Sequence, residues 1–285
     1  MMDQQTIFSR LQGNVETTRE RLDIVTEQHL LSLTMLAEQI CTDDGLPETL
    51  FADFLLAVKV HDEIAKAIFC RTYARLHAKD VSLSPEALFG LHEPPHAGAH
   101  GKIAFVRNRY NERAYEHFSE LVVSAKPLYV SDFGEACEGV YNGQASFCIL
   151  PIENSTSGRL FSFFAMMDRY ELKICATAEI ESDDGAENVR YALVGRSAPR
   201  PFGRAACALE CSLTREDGKS MPELLRAASL LGARVRKIDF LPLEYDYSFY
   251  RAFFTFELSS DDAAALGLYL SLSYPNYTPI GFYKI

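Results

Sequence analysis

SFCILPIENSTSGRLFSFF, residues 146 to 164, joins two kinds of hydrophobic pattern through a polar turn. Phe147 to Ile152 is an unbroken apolar run of the length a buried strand takes, and from Leu160 the apolar residues recur at helical spacing. Between them stand Glu153, Asn154, Ser155, Thr156, Ser157 and Gly158. A strand leading directly into a helix is the repeating step of an α/β sheet, and the loop after the strand's C-terminal end is where such sheets hold ligands. A helix N-terminus presents unpaired N–H groups and the positive end of its dipole. Small hydroxyl and amide residues just ahead of it therefore suit a carboxylate or a phosphate. The same residues also suit plain capping, with Ser155 or Ser157 at the N-cap, although Asn154 to Gly158 is a longer polar run than one cap requires.

The chain on either side fits an α/β reading. Residues 102–106 read as a strand, 110–120 as a helix, 128–131 as a strand and 133–141 as a helix. After the quoted strand come a helix at 160–168 and strands at 172–180 and 189–195, the last two separated by the turn SDDGAEN. This alternation predicts a lobe with a largely parallel sheet. Beyond the linker RSAPRPFGR, strands at 205–213, 235–241, 250–258 and 278–283 enclose helices at 221–231 and 261–272. The order β-α-β-β-α-β is that of the split ferredoxin-like fold. Ahead of the lobe, residues 5–41 read as one long helix with Leu22, Val25, His29, Leu30, Leu33, Leu36 and Ile40 on its stripe. Residues 50–77 read as a second helix after the turn CTDDGLPE. Three units follow: a helical region at 1–91, an α/β lobe at 102–196 and a split βαββαβ unit at 204–285.

Composition narrows the function classes. A net charge of −11 lacks the basic footprint that nucleic acid requires. No apolar run reaches the ~20 residues that cross a bilayer, and the opening MMDQQ has neither the basic nor the apolar region of a secretory signal. Seven cysteines without a C-x-x-C pair point to small buried residues in a reducing compartment, so a cytoplasmic protein is expected. His92, His96 and His100 are spaced as on a helix face, but Pro94, Pro95 and Gly98 among them read as a linker, and neither metal nor cofactor is expected. The amphipathic N-terminal helices and the open strand edges of the C-terminal unit predict a homodimer.

The motif LPIENSTSGRL resembles the P-I-E-N-S-x-x-G signature of prephenate dehydratases, the carbon–oxygen lyases that turn prephenate into phenylpyruvate in phenylalanine biosynthesis. ENVRYALVGRS resembles the Thr-Arg-Phe strand that closes their catalytic domain, and the βαββαβ tail resembles the ACT regulatory domain that follows it. The resemblance implies an α/β lobe equivalent to half of a periplasmic-binding-protein-like catalytic domain. It implies a substrate site at Glu153, Asn154, Ser155, Thr156, Ser157, Gly158 and Arg190. It also implies an effector site at Ser220, Met221, Pro222, Asp239, Phe240, Leu241 and Pro242, and a small aromatic carboxylate or aromatic amino acid as ligand.

The departures from the family pattern are equally specific. The turn at 182–188 stands where the family inserts a whole second lobe, and RNRYNERAY lacks the glycines of the family's first loop. Val189 replaces the threonine that assists loss of the ring hydroxyl, and a valine has no proton to give. The N-terminal helices occupy the place of a chorismate mutase, with Arg19, Arg21, Lys59 and Arg71 as available cations but without the short middle helix of that enzyme. Two readings follow: a prephenate-dehydratase-like binding or regulatory protein with reduced catalysis, or a working dehydratase or mutase completed across a dimer.

Overall fold

A computed structural model describes residues 4–43, 45–59, 62–90, 100–181, 187–197, 206–215, 221–243 and 246–285. The linker residues 91–99 and 198–205, the turn residues 182–186 and Ser220 lie outside them.

The α/β lobe is built as the alternation of its sequence requires. Strands β1 (Lys102–Val106), β2 (Lys126–Val130) and β3 (Phe147–Asn154) are joined by helices α5 (Arg109–Ser119) and α6 (Phe133–Tyr141). Asn108 and Asp132 cap these two helices, each accepting a hydrogen bond from the backbone N–H three residues on. β1 lies between β2 and β3 and is parallel to both. After helix α7 (Phe161–Arg169), β5 (Lys173–Glu181) and β6 (Asn188–Gly195) form an antiparallel pair, and β6 lies antiparallel against β3. The lobe's sheet is therefore mixed rather than largely parallel. The reason is the shortness of the 182–187 connection, since a parallel pairing needs a crossover of a dozen residues or more.

In the C-terminal unit, β7 (Ala206–Arg215) is central and antiparallel to both β9 (Asp246–Ser259) and β10 (Tyr277–Lys284). β8 (Arg234–Leu243) closes the edge against β9. Helices α8 (Met221–Leu230) and α9 (Ser260–Ser273) complete the βαββαβ order expected from the sequence. What the sequence did not indicate is that β10 also lies beside β5, so that the two sheets form one, in the order β2-β1-β3-β6-β5-β10-β7-β9-β8. The contact is close at Gly281, where a Cβ would come within 2.5 Å of the Ile174 Cβ.

The helical region departs from a two-helix hairpin. Helix α1 (Gln4–Cys41) is present, but the second helix is broken into α2 (Pro47–Val58) and α3 (Glu63–Leu76), with a short turn of helix, α4 (Pro85–Phe89), beyond. Lys59 adopts a left-handed conformation (φ 56°) and ends α2, while the Asp62 carboxylate accepts from Ala65 N at 2.6 Å and starts α3. Leu22 and Val25, placed on the buried stripe from their spacing, are 64% and 60% exposed. Burial in α1 begins only near Leu30 and Leu33.

One sheet face is covered by α3, α4, α5, α8 and α9, whose apolar residues form the larger core with Phe105, Leu193, Phe254 and Phe282. Tyr269 of α9 donates to the buried Glu63 of α3 at 2.5 Å and ties the helical region to the C-terminal unit. On the opposite face α6 and α7 cover Cys148, Leu150, Ala192 and Phe253. All seven cysteines are unpaired and buried. Among the described residues no helix is long and apolar enough to cross a membrane.

Candidate functional site

The polar run after β3 does not end at a helix. β3 turns back on itself into a two-residue strand, β4 (Gly158–Arg159), with Glu153 opposite Arg159 and Asn154 opposite Gly158. The Asn154 side chain makes the turn: its carbonyl oxygen accepts from Thr156 N at 2.7 Å and Ser157 N at 3.4 Å, and its amide donates to Glu187. Gly158 takes φ +75°, which suits it to close so tight a turn. Helix α7 starts at Phe161 with Leu160 at its N-cap and no side-chain cap. The expectation that Ser155 or Ser157 caps this helix is therefore corrected. These side chains serve a hairpin turn instead. Ser155 is joined to β6 through Asn188, its N–H donating to the Asn188 carbonyl at 2.8 Å and its Oγ accepting from Asn188 N at 3.0 Å.

The chemistry of the region lies where this turn meets the C-terminal unit. Arg159 extends from β4 over β7, β8 and β9 with its side chain 2% exposed. It donates to Glu210 at 2.9 Å, to Asp239 at 2.8 Å and to the Thr255 hydroxyl at 3.5 Å. Its guanidinium lies over the rings of Phe164 (4.7 Å) and Phe253 (5.6 Å), a setting suited to a planar cation. Arg190, on β6 between Glu153 of β3 and Glu179 of β5, donates to the other oxygen of Glu210 at 2.8 Å. It also contacts Tyr283, and Glu153 at 3.6 Å. Lys237 of β8 closes the circuit through Glu153 and, at 3.6 Å, Asp239. Glu153, Arg190, Glu210, Arg159, Asp239 and Lys237 thus form a closed ring of alternating charges that joins the lobe to the C-terminal unit.

Glu210 is the buried centre of the ring, and Tyr283 Oη donates to it at 2.6 Å. Burial pushes its carboxyl up, but the Arg190 and Arg159 guanidinia outweigh burial and hold it below the usual carboxylate range. Burial likewise works against the Arg190 cation, and Glu210 raises its pKa above the ordinary guanidinium value in spite of it. Burial and then the Glu210 charge keep the Tyr283 phenol protonated. An ion ring of this kind holds its members in place, because each charge has a partner on both sides and removing one leaves its two neighbours with a single partner each.

Beside the ring the sheet face is open, and a cavity of about 560 Å³ lies on it, within the size range of small-molecule sites. From the lobe it is lined by Glu153, Ser155, Thr177, Glu179, Asn188 and Arg190. From the C-terminal unit come Ala208, Arg236, Lys237, Thr255, Tyr283, Lys284 and Ile285. Four cationic side chains against two carboxylates give the walls a positive excess. Arg236 is shared with Glu257 at 2.6 Å. Donors remain for a ligand: Arg190 Nη1 lies 3.6 Å from its nearest carboxylate oxygen, beyond hydrogen-bond length, and the Ser155 hydroxyl accepts while its own proton is available.

Of the residues proposed from sequence, Glu153, Ser155 and Arg190 reach the cavity wall. Asn154, Thr156, Ser157 and Gly158 form the turn beside it, and Val189 packs against the core on the other sheet face. The proposed effector set is not brought together. Met221 and Pro222 begin α8 on one sheet face, with Met221 against the larger core. Asp239 is in the ion ring, Leu241 packs with the smaller core on the opposite face, and Phe240 is exposed. Ser220 and the Pro242 side chain lie outside the described residues. The linker histidines 92 and 96 do too, and among the described residues no group of three or more metal-ligating side chains converges.

Sequence reasoning passed over Arg159, Thr177, Glu179, Glu210, Arg236, Lys237, Thr255, Tyr283 and Lys284. Two signals were present: a lone acid in the apolar strand ACALECSLT, which demands a buried cation, and the basic run RVRK at the start of β8.

Residues 107–183 match the family model of prephenate dehydratase. The prephenate dehydratase from Streptococcus mutans has a similar structure, at 20% sequence identity and a TM-score of 0.53, covering 64% of this chain and 97% of that one. GqqA, described as a novel type of quorum quenching acylase, is similar at 17% identity and a TM-score of 0.50, covering 65% of this chain and 95% of its own. No curated protein matches the chain. At these identities the two structures establish the fold, and the family match assigns the segment from the start of α5 to the end of β5 as prephenate-dehydratase-like.

Proposed function

We propose that this prephenate-dehydratase-like protein binds an aromatic carboxylate or aromatic amino acid of phenylalanine metabolism in the composite cavity, as a homodimer in the cytoplasm and with dehydration reduced or lost. The observation that carries the reading is that the cavity brings motif residues Glu153, Ser155 and Arg190 into one wall with Lys237, Thr255 and Tyr283 of the C-terminal unit. In this reading the ACT-like unit supplies the wall that a second lobe supplies in two-lobed dehydratases. Arg190 and Lys237 hold the carboxylate, and Ser155, Thr177 and Thr255 orient the rest through their hydroxyls. The reduced catalysis rests on Val189, which offers no proton and faces the opposite side of the sheet from Arg190.

Titration calorimetry with prephenate, phenylpyruvate and phenylalanine tests the binding. The cavity is open to water on one side, so a dissociation constant of about 10–1000 µM is expected, or roughly −7 to −4 kcal/mol. Arg190→Ala is a poor probe, because it also strips Glu210 of a buried partner. Lys237→Met leaves Glu153 paired with Arg190 and should weaken binding about tenfold, the ~1.4 kcal/mol of one modest charged contact. Absence of heat with all three ligands, or undiminished affinity in Lys237→Met, removes the cavity as the site. Phenylpyruvate formed from prephenate above the spontaneous rate removes the claim of reduced catalysis.

A further inference from the structure

We propose that Glu179 is a specificity-determining residue of the composite cavity. Its carboxylate receives an ammonium group, so that the cavity selects an α-amino acid over an oxo acid of the same skeleton. This role rests on the cavity being the binding site, and it decides between the two ligand classes, plain carboxylate and amino acid, assigned to it above.

Glu179 stands in the sheet where such a role requires it. It lies opposite Arg190 in the β5–β6 ladder, as Glu153 does in the β3–β6 ladder, so the three side chains leave one sheet face in a row. Arg190 commits itself away from Glu179. Its guanidinium turns to Glu210 at 2.8 Å and leans to Glu153 at 3.6 Å. Glu153 is also held by Lys237. No ion pair or side-chain hydrogen bond joins Glu179 to any of the described residues. Of the two wall carboxylates, Glu179 is therefore the one without a cation. Glu181, two residues further along β5, faces the same way by strand alternation and adds to the negative charge on that side.

An open donor and an open acceptor on neighbouring strands select a dipolar ligand. Adjacent strands lie about 4.8 Å apart, and an α-amino acid carries its ammonium and its carboxylate on a single carbon. The carboxylate takes the open Nη1 of Arg190 and the Ser155 hydroxyl, while the ammonium turns to Glu179. A 2-oxo acid offers only carbonyl lone pairs at that position, which a carboxylate repels, and a second carboxylate there meets like charge. Glu179 is exposed, so water screens the pair and the preference is modest, about fivefold.

Titration calorimetry of the full chain with L-phenylalanine, phenylpyruvate and 3-phenylpropanoate compares ligands that share a ring and a carboxylate and differ only at the α carbon. Phenylalanine should bind about fivefold more tightly than either acid. Glu179→Gln, at an exposed strand position, should bring the three to equal affinity by weakening phenylalanine, with circular dichroism and melting unchanged. Lys237→Met should instead weaken all three alike, which separates the seat of the carboxylate from that of the ammonium. Equal or tighter binding of phenylpyruvate to the native chain overturns the role of Glu179 while leaving the cavity as the site. A preference for phenylalanine that survives Glu179→Gln does the same. Binding of none of the three removes the cavity itself, and this role with it.

Discussion

Glu210 shows how one residue sets the character of the centre. It stands in a strand whose buried neighbours are Ala208, Leu209 and Cys211, where an unpaired carboxylate would be prohibitive. Two guanidinia and a phenol, from β4, β6 and β10, hold it ionised. Glu210→Gln keeps the volume and removes the charge, leaving Arg159 with Asp239 alone and Arg190 with only the more distant Glu153, and should cost about 3–5 kcal/mol. Because the Glu210 pKa is lower folded than unfolded, its contribution is complete above the unfolded value of about 4.3 and is lost as pH falls through the folded value. Melting temperature followed from neutral to acid pH should therefore fall for the native chain below its unfolded carboxylate range, and the difference from Glu210→Gln should narrow there. A constant difference across that range would show that the ionised form of Glu210 is not what stabilises the fold.

At the scale of elements, the decisive features are terminations. The apolar stripe of residues 50–77 continues through the break at Lys59 to Asp62, so periodicity alone cannot find it. The break depends on the left-handed Lys59 and on the Asp62 cap, both local backbone events. Asp62→Ala should cost about 1 kcal/mol through loss of the cap. In urea it should lower the midpoint without altering the slope, whereas an unchanged midpoint would mean that packing alone starts α3. The turn after β3 teaches the converse lesson. Its residues were read as a polar loop leading into a helix, but hydroxyls and amides serve hairpin turns and helix caps by the same hydrogen bonds. Only the pairing of Glu153 with Arg159 decides between them.

Across the whole molecule, the joining of two sheets through β5 and β10 creates the cavity. Gly281 permits this approach, and a Cβ there would also fall 2.8 Å from the Ile174 carbonyl oxygen. Gly281→Ala should therefore destabilise by about 1–3 kcal/mol, as overpacking does. Its amide exchange should accelerate along β5 and β10 before it does so in β1 and β2. Uniform acceleration, or none, would mean that the seam contributes nothing local.

Hydrophobic period and turn chemistry were enough to determine the strand–helix alternation of the lobe, the βαββαβ order of the C-terminal unit and, to within a residue, the starts of α5 and α6. These depend on interactions within a few residues, which the sequence displays directly. The resemblance of LPIENSTSGRL singled out Glu153 and Ser155, and that of ENVRYALVGRS singled out Arg190; all three reach one wall of the cavity. The other wall comes from residues far along the chain, Glu153 and Tyr283 being 130 positions apart, and no local pattern announces such a meeting. Strand order, the closed ring of charges and the open sheet face were decided by the tertiary structure, because each depends on which strand edge finds which partner across long stretches of chain.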